Sequence, residues 1–341
     1  MNKIQQMDLA DFSAYFQLRD SIEGNSFLIT GATGLIGSWC IHCLLSISSN
    51  IRIIAPVRDK SKAEKLFEDT VASIELVECD LLSFDYEKLG YVDFIIHCAA
   101  PTSSKFFIEH PIETFDTIVQ TTGKLLSYAR KNMHKGFVYL SSLEVYGTIT
   151  DNSVVVTEEM QGYIDPLNMR SSYPMAKRAA EHLCYLYATQ YGLPIKIARL
   201  TQTTGPGISK DDNRVIAQFA RLASKGQDII LHTTGESARP YCYTTDAVSA
   251  ILYILLKGTS GGAYNVANEE TYISARGMAE FLRNNFNPSI NVRVELNENM
   301  GYAPPTKLRL STEKIKKLGW KPRKGLKDIF NNLIEYLNTL T

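Results

Sequence analysis

Phe27-Leu28-Ile29-Thr30-Gly31-Ala32-Thr33-Gly34-Leu35-Ile36-Gly37 is the stretch from which the fold can be read. Residues 27–30 are an apolar run of the length of one buried strand. Three glycines follow at GxxGxxG spacing, and an apolar helical pattern takes over through residues 38–45. A chain that turns sharply from strand to helix needs glycine at the turn. The first helical amides then lack partners, and the positive end of the helix dipole points at the turn. Such an end suits phosphate oxygens, and glycine lets them reach the backbone. Gly31, Thr33, Gly34, Leu35, Ile36 and Gly37 are therefore the candidate cradle for a dinucleotide pyrophosphate.

Outward from this turn, residues 51–55 and 74–79 read as strands with a helix at 62–71 between them. Residues 94–98, 137–140 and 195–200 are further strands, separated by helices at 112–132 and 173–191. Near-continuous apolar strands alternating with helices predict an α/β fold, a Rossmann-type doubly wound parallel sheet covered on both faces. After Thr201 the pattern loosens. Gly205-Pro206-Gly207 and Pro304-Pro305 are breaks, and helices near 215–225, 245–257, 274–284 and 325–337 alternate with short strands. The expected organisation is an N-terminal extension (1–24), a dinucleotide-binding part (25–204 plus about 241–267), and a smaller α+β substrate part (205–240 and 268–341). The last would sit at the carboxyl ends of the strands.

Composition narrows the classes. Lys plus Arg and Asp plus Glu are 36 each in 341 residues, so the net charge is zero and a globally basic nucleic-acid binder is excluded. With 45% apolar and 21% charged residues the chain is globular, not disordered. The uncharged run 24–51 is long enough to raise a membrane span, but its glycines, threonines and serines fit a strand, a turn and a buried helix instead. Residues 1–20 lack the basic-then-apolar pattern of a secretory leader. Cys40-Ile-His-Cys43 is a lone CxxC inside an apolar helix, which reads as core; no metal site is expected. A reduced, cytoplasmic protein is the expectation.

The second strand ends Ala55-Pro56-Val57-Arg58-Asp59. An NAD site usually has an acidic residue there for the ribose hydroxyls, and here that position is Val57. Arg58, with Lys62 close behind, suits a 2′-phosphate and favours NADP over NAD, although Asp59 could instead take the ribose. Asp80, with Leu81 after it, is the candidate adenine contact at the end of the third strand.

Ser141-Ser142-Leu143-Glu144-Val145-Tyr146-Gly147 follows the fifth strand, and Tyr173-Pro174-Met175-Ala176-Lys177 opens the next helix. Tyr173 and Lys177 are four apart and share a helix face. A free phenol, with pKa near ~10, is a poor base at neutral pH. A nearby ammonium and a positive nicotinamide ring would favour the phenolate, which could take a proton from a substrate hydroxyl while hydride leaves its carbon. Ser142 can orient that hydroxyl.

With these motifs the chain resembles the extended short-chain dehydrogenase/reductase family, and within it the nucleotide-sugar epimerases, dehydratases and decarboxylases, over about residues 26–337. The resemblance includes His97-Cys98-Ala99-Ala100, Arg199-Leu200-Thr201-Gln202-Thr203-Thr204-Gly205-Pro206, Arg239-Pro240-Tyr241-Cys242-Tyr243-Thr244-Thr245-Asp246 and Leu318-Gly319-Trp320-Lys321-Pro322. Ala100-Pro101-Thr102-Ser103, and Asp165-Pro166 through Arg170-Ser171-Ser172-Tyr173 to Lys177-Arg178, look most like UDP-glucuronate decarboxylases. The resemblance implies Ser142, Tyr173 and Lys177 for hydride and proton transfer, and Glu144 beside the sugar. It implies Ala99 and Ala100 against the cofactor, Arg239 on the substrate diphosphate, and Gln202 and Arg214 as further substrate contacts. It also implies a homodimer through helices 112–132 and 173–191. Three positions depart from the pattern. Leu143 stands where dehydratases have aspartate and decarboxylases serine, Gln202 replaces a common asparagine, and Val57-Arg58 replaces the acidic NAD signature.

The expected activity is NAD(P)-dependent conversion of a nucleotide-diphosphate sugar through transient oxidation at C4, by an epimerase/dehydratase-type enzyme. The alternatives are an NADPH-dependent carbonyl reductase of the dihydroflavonol-reductase type and a dinucleotide-sensing binding protein. Gly258-Thr259-Ser260-Gly261-Gly262 matches GxSxG but lies after a helix and before a strand, the reverse of a nucleophile elbow. His97 and His110 lack metal-ligand spacing, and the basic cluster from Lys314 to Lys327 reads as a solvated face.

Overall fold

The computed structural model describes residues 1–297 and 306–340; the expected break at Pro304-Pro305 lies outside them. Seven parallel strands form the main sheet, in the order Ala263–Val266, Ile195–Leu200, Met133–Ser142, Val92–His97, Ser26–Thr30, Arg52–Val57 and Ile74–Glu78. This is the Rossmann-like α/β sheet expected from the sequence. Its strand order reverses between Ser26–Thr30 and Val92–His97, which leaves a crevice at their carboxyl ends where ligands of such sheets bind. Thr30 is in register with His97, and Ser142 with Leu200. The glycine turn, the loop after His97 and the turn after Ser142 therefore open on one edge.

Apolar side chains explain the layering. Phe27 and Ile29 face one core under helices Leu35–Ile47 and Thr244–Lys257, while Leu28 faces the other under Pro111–Asn132 and Ser172–Tyr191. Burial on both faces is why these strands read as unbroken apolar runs. Cys40 and Cys43 are fully buried in the first of these cores.

Some element ends differ from expectation, and caps decide them. The helix expected at 62–71 runs Lys60–Leu66, started by Asp59, whose carboxylate accepts from the Lys62 amide at 2.8 Å. The first long helix starts at Leu35 and not at 38, with Gly34 as its N-cap. The third strand stops at Glu78, one residue early.

Gln202–Thr204 continues directly from the strand Ile195–Leu200 and forms a second sheet with Ala238–Tyr243 and Asn268–Ser274. This second sheet therefore starts from the carboxyl end of a main-sheet strand. The GxSxG match is a loop between Thr244–Lys257 and Ala263–Val266, and its Ser260 hydroxyl donates to the Leu193 carbonyl at 2.6 Å. Among the described residues no helix is long and apolar enough to cross a membrane.

The N-terminal extension is a docked helix, Lys3–Tyr15, started by a reciprocal Asn2–Gln5 capping box. Phe12 and Phe16 enter the core below Leu35–Ile47, and Ile4 enters the core of the C-terminal part. Asp8, also buried, accepts from the Tyr243 hydroxyl. Burial pushes Asp8 and Asp246 up to about 6 each. A carboxyl whose folded value exceeds its unfolded ~3.9 holds its proton more tightly in the native state. Its stabilising contribution is present below about pH 4 and lost as pH rises through about 6. Asp8→Asn should therefore gain in Tm relative to the parent as pH is raised from about 5 to about 7; a difference that stays constant would refute this account of Asp8.

Candidate active site

The glycine turn is built by close approach. Gly31 has φ +68°, and a Cβ there would lie 2.8 Å from the Ala99 amide nitrogen. Gly37 presses on the Gly31 carbonyl, so the helix can start against the turn only without a side chain there. The Gly34 amide donates to the Gly31 carbonyl at 3.0 Å, and no side chain caps the helix. The first-turn amides at Leu35, Ile36 and Gly37, with Thr33 beside them, are left without a side-chain cap at the glycine turn. These residues fit a dinucleotide pyrophosphate.

Behind the cradle runs a buried polar chain. Thr122 Oγ1 donates to the Ile118 carbonyl at 2.7 Å and so accepts from His97 Nε2, 3.1 Å away. His97 Nδ1 then accepts from the Thr30 hydroxyl at 2.7 Å, and Thr30 Oγ1 accepts from the Ala99 amide at 3.3 Å. Burial, with a smaller effect of Lys177, pushes the His97 imidazole down to about 3. It is a neutral structural histidine that fixes Ala99 and Ala100 beside the glycine turn.

Arg58 and Lys62 lie exposed beyond the buried strand end at Val57. The Arg58 guanidinium has no hydrogen bond or ion pair among the described residues. Asp59, the alternative ribose ligand, is engaged as the helix cap. Asp80 lies two residues past its strand and accepts from the Leu82 amide at 2.8 Å, while the Leu81 carbonyl accepts from Tyr86.

Ser142 ends its strand and caps the turn Leu143–Tyr146, its Oγ accepting from the Glu144 amide at 3.2 Å. That leaves its hydroxyl hydrogen for another acceptor. Tyr173 and Lys177 share the inner face of Ser172–Tyr191, both buried. Lys177 Nζ donates to the Leu140 carbonyl at 2.7 Å and lies 5.8 Å from the Tyr173 ring centroid. Burial lowers the Lys177 ammonium to about 8. Burial also raises the Tyr173 phenol; Glu144 adds to this, while Ser142 and Arg170 oppose it. The spacing alone suggested a phenol lowered by its lysine. In the protein by itself desolvation wins, because removing water disfavours the charged form of both groups.

Glu144 is held by Arg170, whose Nη2 donates to both carboxylate oxygens at 2.9 Å. Phe107, from the short helix Ser104–Glu109, stacks on the Tyr173 ring with centroids 4.2 Å apart. Neither Arg170 nor Phe107 was singled out as a site residue from the sequence. A cation three residues before Tyr173 was the available signal for the first; the second had none.

Arg239 lies on the strand Ala238–Tyr243, and Arg214 immediately precedes the helix Val215–Ser224. They differ in engagement. Arg214 donates to Asp212 through Nε and Nη2, and to the Thr203 carbonyl through Nη1 at 2.6 Å, so it braces the loop. Arg239 has no such partner among the described residues. The buried Gln202 Oε1 also lacks one. A separate cavity of about 120 Å³ is lined by Val155, Pro240, Glu269, Tyr272, Arg309 and Leu310. In the C-terminal basic cluster Lys314 and Lys316 pair with Glu159 and Glu269, while Arg323 and Lys324 share Asp11.

Comparison with known proteins places this geometry. The chain is 30% identical over 304 residues to UDP-glucuronic acid decarboxylase 5 of Arabidopsis thaliana, covering 88% of this chain and 86% of that protein. It is similar in fold, at 22% identity and TM-score 0.79, to the UDP-glucose 4-epimerase of Thermotoga maritima solved with UDP-glucose, over 92% of this chain and 99% of that one. A UDP-glucuronic acid 4-epimerase of Bacillus cereus, solved with NAD, aligns at TM-score 0.76 and 21% identity, over 92% of this chain and 99% of that one. The NAD dependent epimerase/dehydratase family profile matches residues 27–267. With its parallel sheet, glycine turn and Tyr173–Lys177 pair at the strand ends, the chain belongs to the NAD-dependent epimerase/dehydratase family.

Proposed function

We propose that the chain converts a nucleotide-diphosphate sugar by transient oxidation at C4, with Tyr173 taking the proton of the C4 hydroxyl. The observation that carries this reading is the position of Tyr173 beside Ser142 and Lys177, at the edge where the glycine turn opens. The glycine turn at Gly31–Gly37 would hold a nicotinamide dinucleotide, which when bound would supply the hydride acceptor and the positive charge of its oxidised ring. Ser142 uses its remaining hydrogen to orient the sugar hydroxyl. Lys177, held on the Leu140 carbonyl, faces the Tyr173 ring and favours its ionised form. Arg239 can grip the diphosphate bidentately, and Gln202 Oε1 can accept from the substrate. Arg214 supports this site from its Asp212 clamp. Glu144 serves the second step, at the position acidified by the C4 ketone.

Leu143 is buried in an apolar cluster with Val145, Leu308 and Leu310. It offers no acid, which argues against 4,6-dehydration of the usual kind. Epimerisation and decarboxylation are the outcomes the site accommodates. UDP-glucuronate is the first substrate to try, since a relative that matches 88% of the chain is a UDP-glucuronic acid decarboxylase. Residues 205–240 and 268–341 would receive the nucleotide sugar. Pro56-Val57-Arg58-Asp59 resembles the dihydroflavonol-reductase branch of NADPH-dependent carbonyl reductases, but those need no Arg239.

Two tests follow. Among UDP-, GDP-, CDP- and dTDP-sugars at least one should raise Tm; near 100 Kd the gain is about 2.7 kcal/mol. No stabilisation, together with turnover of simple ketones by NADPH, would sink the reading. The unpaired Arg58 supports a preference for NADP. Arg58→Ala should weaken NADP by about tenfold or more and NAD little, by the size of a charge-assisted hydrogen bond; equal losses would remove the preference. We also infer a homodimer through Pro111–Asn132 and Ser172–Tyr191, supported by exposed Ile112, Phe115, Leu186 and Tyr191. Six free cysteines support a reducing, cytoplasmic setting.

A further inference from the structure

Glu144 and Tyr173 are linked through two side chains, Arg170 and Phe107. Arg170 Nη2 donates to both Glu144 carboxylate oxygens at 2.9 Å. The same guanidinium lies over the Phe107 ring, 5.0 Å from its centroid. Phe107 in turn stacks on Tyr173, with ring planes only 10° from parallel. Two further bonds fix this stack. The Ser172 hydroxyl donates to the Phe107 carbonyl at 3.1 Å, and the Asn168 side chain accepts from the Arg170 amide at 2.9 Å.

We propose that Arg170 is a positioning residue for both proton-transfer groups: it fixes the Glu144 carboxylate, braces the Phe107–Tyr173 stack, and so sets the field between base and carboxylate. The proposal rests on the reading of Tyr173 and Glu144 given above. A carboxylate beside a phenol opposes formation of the phenolate, since like charges in one site disfavour each other. A site that needs both groups ionised therefore needs a cation between them. Glu144 does raise the Tyr173 phenol, and Arg170 does oppose it. The other groups facing the ring are Lys177 on its own helix, Ser142 from the sheet and the Tyr139 phenol. Helix Ser104–Glu109 presents Phe107, its Lys105 and Glu109 being paired with each other at the surface. Helix Pro111–Asn132, packed along the same face, places no charged group in the field of the phenol. A guanidinium suits the task because it is planar, always charged, and stacks on a ring while holding a carboxylate.

The test uses the full chain saturated with NAD+ and no sugar. The ultraviolet titration of tyrosinate is recorded, and the Tyr173 part is obtained by difference from Tyr173→Phe. Arg170→Gln should move it to higher pH and Glu144→Gln to lower pH, while the double variant returns close to the parent. Arg170→Lys, which restores charge but not the plane, should fall between Arg170→Gln and the parent. With UDP-glucuronate added, Arg170→Gln should slow cofactor reduction about tenfold at neutral pH, with KM little changed and the loss shrinking as pH rises. Circular dichroism and Tm of Arg170→Lys separate this from misfolding. The proposal is overturned if the single variants titrate like the parent, or if their shifts fail to cancel in the double variant. It is likewise overturned if no Tyr173 signal appears below the alkaline limit of folding in any variant, Glu144→Gln included, or if the rate loss is uniform across pH. Should the titrations shift as expected while no nucleotide sugar reacts, the Arg170 assignment stands and the nucleotide-sugar reading fails.

Discussion

Tyr173→Phe should reduce hydride transfer about a thousandfold and leave cofactor affinity nearly unchanged. The substitution removes one hydroxyl and keeps the ring, which is buried and stacked on Phe107 at 4.2 Å. Packing of the helix Ser172–Tyr191 is therefore preserved, and the loss falls on proton transfer. A positioned general base contributes about 10²–10⁴-fold, and no other group next to Ser142 can replace it. Lys177 is tied to the Leu140 carbonyl and Glu144 to Arg170. Single-turnover reduction of the cofactor, with the Kd of the cofactor measured on the same preparation, separates the two effects. Retained turnover would remove Tyr173 from the mechanism, and a parallel loss of cofactor binding would make it a structural residue.

Gly31→Ala should lower Tm by several degrees and weaken the dinucleotide at least about tenfold. Two costs combine. Holding an L-residue at φ +68° costs about 1–2 kcal/mol. The new methyl would also sit 2.8 Å from the Ala99 nitrogen and 2.9 Å from the Ala99 Cα. These are backbone atoms of the neighbouring strand end, held by the Thr30–His97 chain, and they cannot swing aside like a side chain. Relief must come from opening the turn, which moves the amides that would meet the pyrophosphate. Gly24→Ala is the matched control. It has φ +71° and open space around its Cβ, so it should cost only the strain and leave cofactor affinity intact. Equal behaviour of the two variants would show that the cradle does not depend on this close approach.

Physical locality separates what the sequence reveals from what it hides. The strand–turn–helix at 27–37 is legible because glycine, apolar run and helix start are neighbours in the chain. Tyr173 and Lys177 are legible because four residues make one helical turn. The Arg170–Glu144 pair spans 26 positions and depends on how two turns pack, so no periodicity announces it. Lys177 is anchored by a backbone carbonyl, and every residue has one. The spacing shows the ammonium beside the phenol but not the burial that opposes its ionisation in the protein by itself. Arg214, expected on the substrate, is braced by Asp212, a carboxylate two residues away that could have been weighed. Residues 1–20 read as an added amphipathic segment, but the sequence does not show where it docks. Its docking uses Phe12, Phe16 and a buried Asp8, whose Tyr243 partner lies 235 residues away.

The central claim is that hydride leaves C4 of a nucleotide sugar toward the cofactor while Tyr173 takes the hydroxyl proton. The most direct measurement mixes the cofactor-loaded enzyme with UDP-glucuronate carrying deuterium at C4, followed by mass analysis of the cofactor and of the sugar. The account predicts a reduced cofactor bearing that deuterium, a slower reduction step than with the protiated sugar, and neither signal with Tyr173→Phe. Product formed with no label ever reaching the cofactor, or the same labelling in Tyr173→Phe, would contradict it.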